Sequence, residues 1–159
     1  MIWHVAFSVD DLEEAMEKFG DALQVEWNPI KHYVGESMDA DGKLFTLDTR
    51  LVFSAQGPVA LELFENVPGT PNEPASGTIF HHMGYWTDNV NAEQDRLREC
   101  NWMHKGGKTV PESRAAFFSG PLGIFFEACN SSIERPGLGK YYPGVAPGMN
   151  QPDRVLKPH

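Results

Sequence analysis

Cysteine is scarce: the 159 residues contain only Cys100 and Cys129. They make neither a disulfide framework nor a C-x-x-C pair, so nothing asks for an oxidising compartment, and a reduced, cytoplasmic protein is expected. No apolar run approaches the roughly 20 residues that a membrane-spanning helix needs, which leaves no reason to expect a membrane partner. The N-terminal residues are half-polar and strand-like, without a basic region leading into an apolar stretch, so no signal peptide is expected. Basic charge is also short, with 13 Lys and Arg against 22 Asp and Glu and a formal net charge of −9. Such a chain repels a phosphate backbone and has no basic stripe to offset this, which argues against nucleic acid. What is present is ordinary for a globular protein: 41% hydrophobic and 22% charged residues, in a length that fits a single domain over 1–159.

An internal repeat organises the chain. The stretch HVAFSVDDLEEA begins at His4, and HMGYWTDNVNAE begins at His82. Aligned on these histidines, both continue as a short strand, reach an acidic residue (Asp10, Asp88) and enter a helical pattern. Each half then carries Arg-x-x-Phe (Arg50 to Phe53, Arg114 to Phe117), a Gly-Pro turn (Gly57-Pro58, Gly120-Pro121) and a last strand with a glutamate, Glu62 or Glu127. Five features in register predict two tandem βαβββ modules, over 1–67 and 78–130. Residues 68–77, rich in Pro, Gly and Asn, read as the linker. Residues 131–159 read as an extended tail without its own core.

Local signals agree with this division. Trp3 to Val9 is short and β-rich. Asp10 is expected to cap the first helix, whose apolar face is Leu12, Ala15, Met16, Phe19 and Leu23. Asp88 is expected to cap the second, with Val90, Leu97 and Cys100 inward and Arg96 and Arg98 outward. Residues 28–47, polar and interrupted by Gly35 and Gly42, are expected to form a long loop or an irregular hairpin.

Alternation along the strands assigns faces. Trp3, Val5, Phe7 and Val9 are expected to point toward a helix, and Ile2, His4, Ala6 and Ser8 the other way. Around Glu62, Leu61 and Leu63 oppose Ala60, Glu62 and Phe64. Around Glu127, Ile124, Phe126 and Ala128 oppose Phe125, Glu127 and Cys129. In each strand the His or Glu lies opposite the more aliphatic row, so a sheet curled around a cavity would gather His4, Glu62, His82 and Glu127 inside it. Two carboxylates left alone there would repel each other and resist desolvation, whereas a dication neutralises both. The mixed nitrogen and oxygen set suits Zn, Ni, Co, Mn or Fe(II), and leaves positions that two adjacent substrate oxygens could take.

With these residues in place, the chain resembles the vicinal oxygen chelate superfamily, which includes glyoxalase I, methylmalonyl-CoA epimerase, extradiol dioxygenases and antibiotic-resistance proteins. The resemblance runs from residue 2 to about 130 and is carried by HVAFSVDDLEEA, LELFE, FHHMGYWTDNV and FFEACN. It implies an α+β fold, a curved mixed sheet partly closed into a barrel with helices outside, and a homodimer. It implies one divalent ion (Zn, Ni, Co or Mn, with Fe(II) less favoured) on His4, Glu62, His82 and Glu127. It further implies an isomerase, epimerase or lyase that moves a proton next to a carbonyl of a small, chelating substrate. Glu127 is the base on this reading, and Glu62 the alternative. A ring-cleaving dioxygenase needs two His, one carboxylate and a free fourth corner, which Glu62 would occupy. The resistance proteins usually lack the ligands, although Trp86, Phe64 and Phe125 would suit a drug-binding groove and are candidate substrate contacts.

Other residues keep open readings. His81 is expected to be a packed, hydrogen-bonded residue on the helix-facing row with Met83 and Tyr85, but a one-residue slip would make it the ligand in place of His82. Arg50 and Asp48 share a row with Val52 and Ser54. Arg50 either points into the cavity, to bind a substrate carboxylate or phosphate, or makes a salt bridge at the rim. Glu65 reads as a solvated rim charge, and His32 and His104 as exposed. Tyr141 and Tyr142 either cap the pocket or anchor the tail.

Overall fold

The computed structural model describes residues 2–75, 77–109, 112–121 and 123–133, together with Leu138 and Tyr141. Its elements repeat one order: β1 (Ile2–Val9), α1 (Leu12–Leu23), β2 (Lys31–Met38), β3 (Leu44–Phe53) and β4 (Ala60–Glu65), then β5 (Phe80–Thr87), α2 (Val90–Glu99), β6 (Met103–Gly106), β7 (Ala115–Ser119) and β8 (Phe125–Asn130). All eight strands join one mixed sheet in the order β2-β3-β4-β1-β5-β8-β7-β6. β1 and β4 are parallel, as are β5 and β8, and the halves meet where β1 and β5 run antiparallel. An isolated Asp39–Gly106 bridge and a 2.7 Å bond from Gly107 N–H to the Met38 carbonyl bring the outer strands together, so the curved sheet nearly closes into a barrel.

Helices cover its convex side. Leu12 of α1 is buried with Val9, Val52 and Leu63, and Ala15, Met16 and Phe19 pack around them. Val90 and Leu97 of α2 are buried against Ala116, Phe118 and Ala128. Leu23 departs from expectation at 55% exposed, because Gln24 turns left-handed (φ 55°) and ends α1 before that side chain reaches the sheet. Cys100 is likewise exposed.

The caps lie one residue beyond those expected. Asp11, not Asp10, is extended and accepts from Glu14 N–H at 2.8 Å; Asn89, not Asp88, accepts from Ala92 N–H at 3.0 Å. Asp10 instead accepts a 3.0 Å bond from the Asn66 amide. Asp11→Ala is therefore expected to lower stability by about 1 kcal/mol, read as a reduced urea midpoint at unchanged m-value.

Residues 28–47 also differ from the expected loop or irregular hairpin. β2 and β3 pair without interruption from Lys31–Leu51 to Met38–Leu44. Asp39 closes the turn by accepting from Asp41 and Lys43 N–H. Most of β2 is exposed or half-buried, so it lacks the apolar alternation that identifies a strand.

Register slips in β1 and in β5 decide which side chains reach the concave face. Ile2 pairs with Tyr85 and His4 with Gly84, leaving Trp3 extra; Ala6 pairs with His82 and Phe7 with Phe80, leaving His81 extra. Such bulges turn a side chain against simple alternation. Trp3, expected toward a helix, is buried with Phe53, Ala60, Cys129, Leu138 and Tyr141, and stacks on Trp86 at 4.6 Å. Ile2, expected inward, lies beside Tyr85 and Leu97 on the helix side. His81, expected on the helix-facing row, touches the rings of Phe64, Phe117 and Phe125.

Candidate metal centre

The four central strands form two neighbouring rows of paired residues. One runs Glu62, Ala6, His82, Phe125 across β4, β1, β5 and β8; the other runs Ala60, His4, Gly84, Glu127. Each row has one histidine and one glutamate with a small residue between them, and the rows are offset so that His4 and His82 are diagonal. The small residues let the long side chains lean together. A Cβ at Gly84 would fall 1.7 Å from His4 Cε1, so the imidazole occupies the space that any other residue would fill.

The resulting cluster is tight. His4 Nε2 and His82 Nε2 are 2.8 Å apart. His4 Nε2 lies 3.2 Å from both Glu62 Oε2 and Glu127 Oε2, and His82 Nε2 lies 3.6 and 3.5 Å from the same oxygens. One donor atom from each residue lies within 4.8 Å of all the others. Metal–ligand bonds of 2.0–2.2 Å would space tetrahedral donors by about 3.4 Å, so the set fits around one divalent ion. Burial raises the Glu127 carboxyl, but the imidazoles of His4 and His82, at 3.2 and 3.5 Å, outweigh it and hold the group well below the usual carboxylate range. The Cys129 thiol donates to Glu127 Oε2 at 3.0 Å. Burial, reinforced by His82, pushes His81 down to about 3, so it is neutral at ordinary pH.

Residues 3–118 match the family model of the Glyoxalase/Bleomycin resistance protein/Dioxygenase superfamily, well over half of the chain. The chain belongs to this superfamily, the vicinal oxygen chelate group. No curated protein matches it in sequence. Among solved structures it is similar to a hypothetical protein from Bacillus halodurans at 16% identity and TM-score 0.52, covering 81% of this chain and 92% of that one. It is also similar to a variant methylmalonyl-CoA epimerase from Streptomyces coelicolor at 16% identity and TM-score 0.50, covering 86% and 98%. At these identities the likenesses show the fold. Superfamily members include epimerases and dioxygenases, and a divalent ion is typical of the group.

In this member the cluster opens into a cavity of about 810 Å³, whose wall includes Glu62, His82, Glu127, Leu51, Phe53 and Phe64. Trp86 and Phe125, also expected to contact substrate, are not part of that lining. Trp86 stacks behind the wall on Trp3, and Phe125 packs on His81 beneath the Lys105 ammonium. Of its two expected readings, Arg50 takes the rim salt bridge. Its row faces α1, as buried Val52 shows, and its guanidinium pairs with Glu13 at 2.5 Å and with Glu65. It is a surface ion pair rather than a cavity residue, and Glu65 is its partner rather than a free rim charge. Asp48 is exposed and paired with His32, while His104 is half-buried and bonds the Gly107 carbonyl.

Tyr141 is 1% exposed and packs into the core against Trp3 and Phe53. Tyr142 lies outside the described residues. Phe117, whose ring lies 5.0 Å from that of His82 on the cavity wall, went unrecognised although its Arg-x-x-Phe repeat was visible. Ala6 and Gly84 were missed as well. The repeated spacing, a small residue two after each histidine, was the signal that could have found them.

Proposed function

We propose that this chain is a divalent-metal-dependent isomerase, epimerase or lyase that moves a proton next to the carbonyl of a small substrate bearing adjacent oxygens. The observation that carries this reading is the convergence of two imidazoles and two carboxylates from β1, β4, β5 and β8 at one end of a cavity. His4, Glu62, His82 and Glu127 would hold the ion, with Zn, Ni, Co or Mn suited to the set and Fe(II) less so. Bound there, a dication supplies Lewis-acid stabilisation of negative charge developing on the substrate oxygens. Glu127 accepts and returns the α-proton, with Glu62 on the other side of the histidine pair as the alternative. Leu51, Phe53, Phe64 and Phe117 limit water around the reacting carbon.

All four groups come from one chain, so a homodimer, the assembly expected from the superfamily, would not be needed to complete the site. Cys100 and Cys129 are both thiols, which fits a reducing, cytoplasmic setting. Among the described residues no helix is long and apolar enough to cross a membrane.

The test is elemental analysis of protein prepared without chelator, followed by NMR of α-proton exchange in D2O. Suitable probes are 2-hydroxy acids, thiol adducts of α-ketoaldehydes, and α-branched acyl thioesters such as methylmalonyl-CoA. One ion per chain is expected, with exchange that a chelator abolishes and the ion restores. A protein that takes up none of Zn, Ni, Co or Mn sinks the proposal, and oxygen consumption with a catechol on iron would replace it with a dioxygenase.

A further inference from the structure

We propose that His81 is a positioning residue: together with the Pro71 carbonyl it fixes the tautomer of His82, so that His82 presents a bare Nε2 lone pair to the metal centre. This rests on the metal reading above and concerns a residue that the four-ligand set does not include. The geometry is a chain of contacts. His81 Nε2 lies 2.8 Å from the Pro71 carbonyl oxygen, and His81 Nδ1 lies 2.8 Å from His82 Nδ1.

The directions of these bonds follow from elementary chemistry. A carbonyl only accepts, so the His81 proton is on Nε2. His81 is 2% exposed among the rings of Phe64, Phe117 and Phe125, where a second proton would place an unpaired charge in an apolar cage. Its Nδ1 is therefore an acceptor, and the bond to His82 Nδ1 requires His82 to be the donor. The metal-binding form of an imidazole is neutral and has one N–H, so in that form a His82 that donates from Nδ1 carries no proton on Nε2. That atom lies 2.8 Å from His4 Nε2 and 3.6 and 3.5 Å from the glutamate oxygens, inside the cluster.

The device depends on the bulge in β5. With regular alternation, His81 would point to the helix side, and consecutive histidines could not meet on one face. It also ties the centre to the segment between the halves, because Pro71 lies outside both sets of strands. Groups that hold a ligating histidine in orientation typically contribute 10- to 100-fold to metal affinity.

Three measurements test this, with Zn(II) as the probe. Long-range ¹H–¹⁵N NMR of the metal-free wild type, at a pH where His82 is neutral, should show its proton on Nδ1; a neutral His82 with its proton on Nε2 overturns the proposal without any variant. In chelator competition, His81→Phe, which keeps a ring in the cage but removes both bonds, should bind Zn(II) about 10- to 100-fold more weakly. His81→Asn, which returns an acceptor at the atom nearest His82, should recover most of that loss. Wild-type affinity in folded His81→Phe, or equal losses in both variants, rejects the tautomer role in favour of packing. Should His81→Phe not fold, the wild-type tautomer and the Asn variant still decide. Wild-type protein that binds no Zn(II) removes the metal reading, whereas Zn(II) binding that is indifferent to His81 removes only this one.

Discussion

Glu127→Gln is expected to lower α-proton exchange by about 100- to 10,000-fold at saturating metal and substrate, or roughly 3 to 5 kcal/mol of barrier, with the fold unchanged. The substitution keeps volume and an acceptor oxygen but removes the group that takes the proton. In the metal-free protein the imidazoles of His4 and His82 hold this carboxyl well below the usual range despite its burial. Its proton-accepting form therefore persists across neutral pH. Positioned proton transfer typically supplies only about 100- to 10,000-fold, so it cannot account for the whole acceleration. Stabilisation of charge on the substrate oxygens has to supply the remainder.

Because Gln remains a weaker ligand, the comparison is made at metal concentrations where occupancy is verified by elemental analysis. Glu62→Gln, made in parallel, separates the two candidates. Unchanged exchange in Glu127→Gln with a large loss in Glu62→Gln would transfer the role to β4. Proportionate loss in both would mean that the two carboxylates act through the ion and that neither alone moves the proton.

Much of this arrangement was legible because the chain repeats itself. Aligning His4 with His82 brings Glu62 and Glu127 into correspondence, and the paired strands then place all four in two adjacent rows. Alternation served well on β4 and β8, where register is unbroken: Leu63 faces α1, and Ala128 faces α2, as their patterns required. It failed at Trp3 and His81 because bulges reverse parity at one residue, and neither position carries a glycine to announce it. The caps were misjudged for a different reason. Asp10-Asp11 and Asp88-Asn89 each offer two competent side chains in succession, and the choice is made by where the preceding strand ends. Arg50 was placed on the correct row, with Val52. What a single row cannot reveal is which of its two faces α1 will cover, and Glu13 on that helix captured the guanidinium.

Gly84→Ala is expected to weaken Zn(II) binding by roughly 100- to 1,000-fold. Four-ligand structural zinc sites bind with about 10 to 16 kcal/mol, so each ligand contributes on the order of 3 to 4 kcal/mol. Gly84 lies between His4 on β1 and Glu127 on β8, and an added Cβ would sit 1.7, 2.3 and 2.4 Å from three atoms of the His4 ring. The ring has nowhere to retreat. It is fully buried, with Trp3 at 4.0 Å, His82 at 4.9 Å and Phe53 at 5.9 Å between ring centres. Either the imidazole leaves the cluster or β1 and β5 separate locally, at a cost of about 1 to 3 kcal/mol in overpacking.

Ala6→Gly, at the corresponding position opposite His82, adds space instead of removing it and should keep metal binding close to wild type. Chelator competition gives both affinities, and thermal unfolding of the metal-free proteins gives the packing cost separately. A folded Gly84→Ala variant that retains full affinity would mean that an ion is held without His4. Glu62, His82 and Glu127 would then hold it, and the four-residue centre on which the proposed function rests would fail at His4.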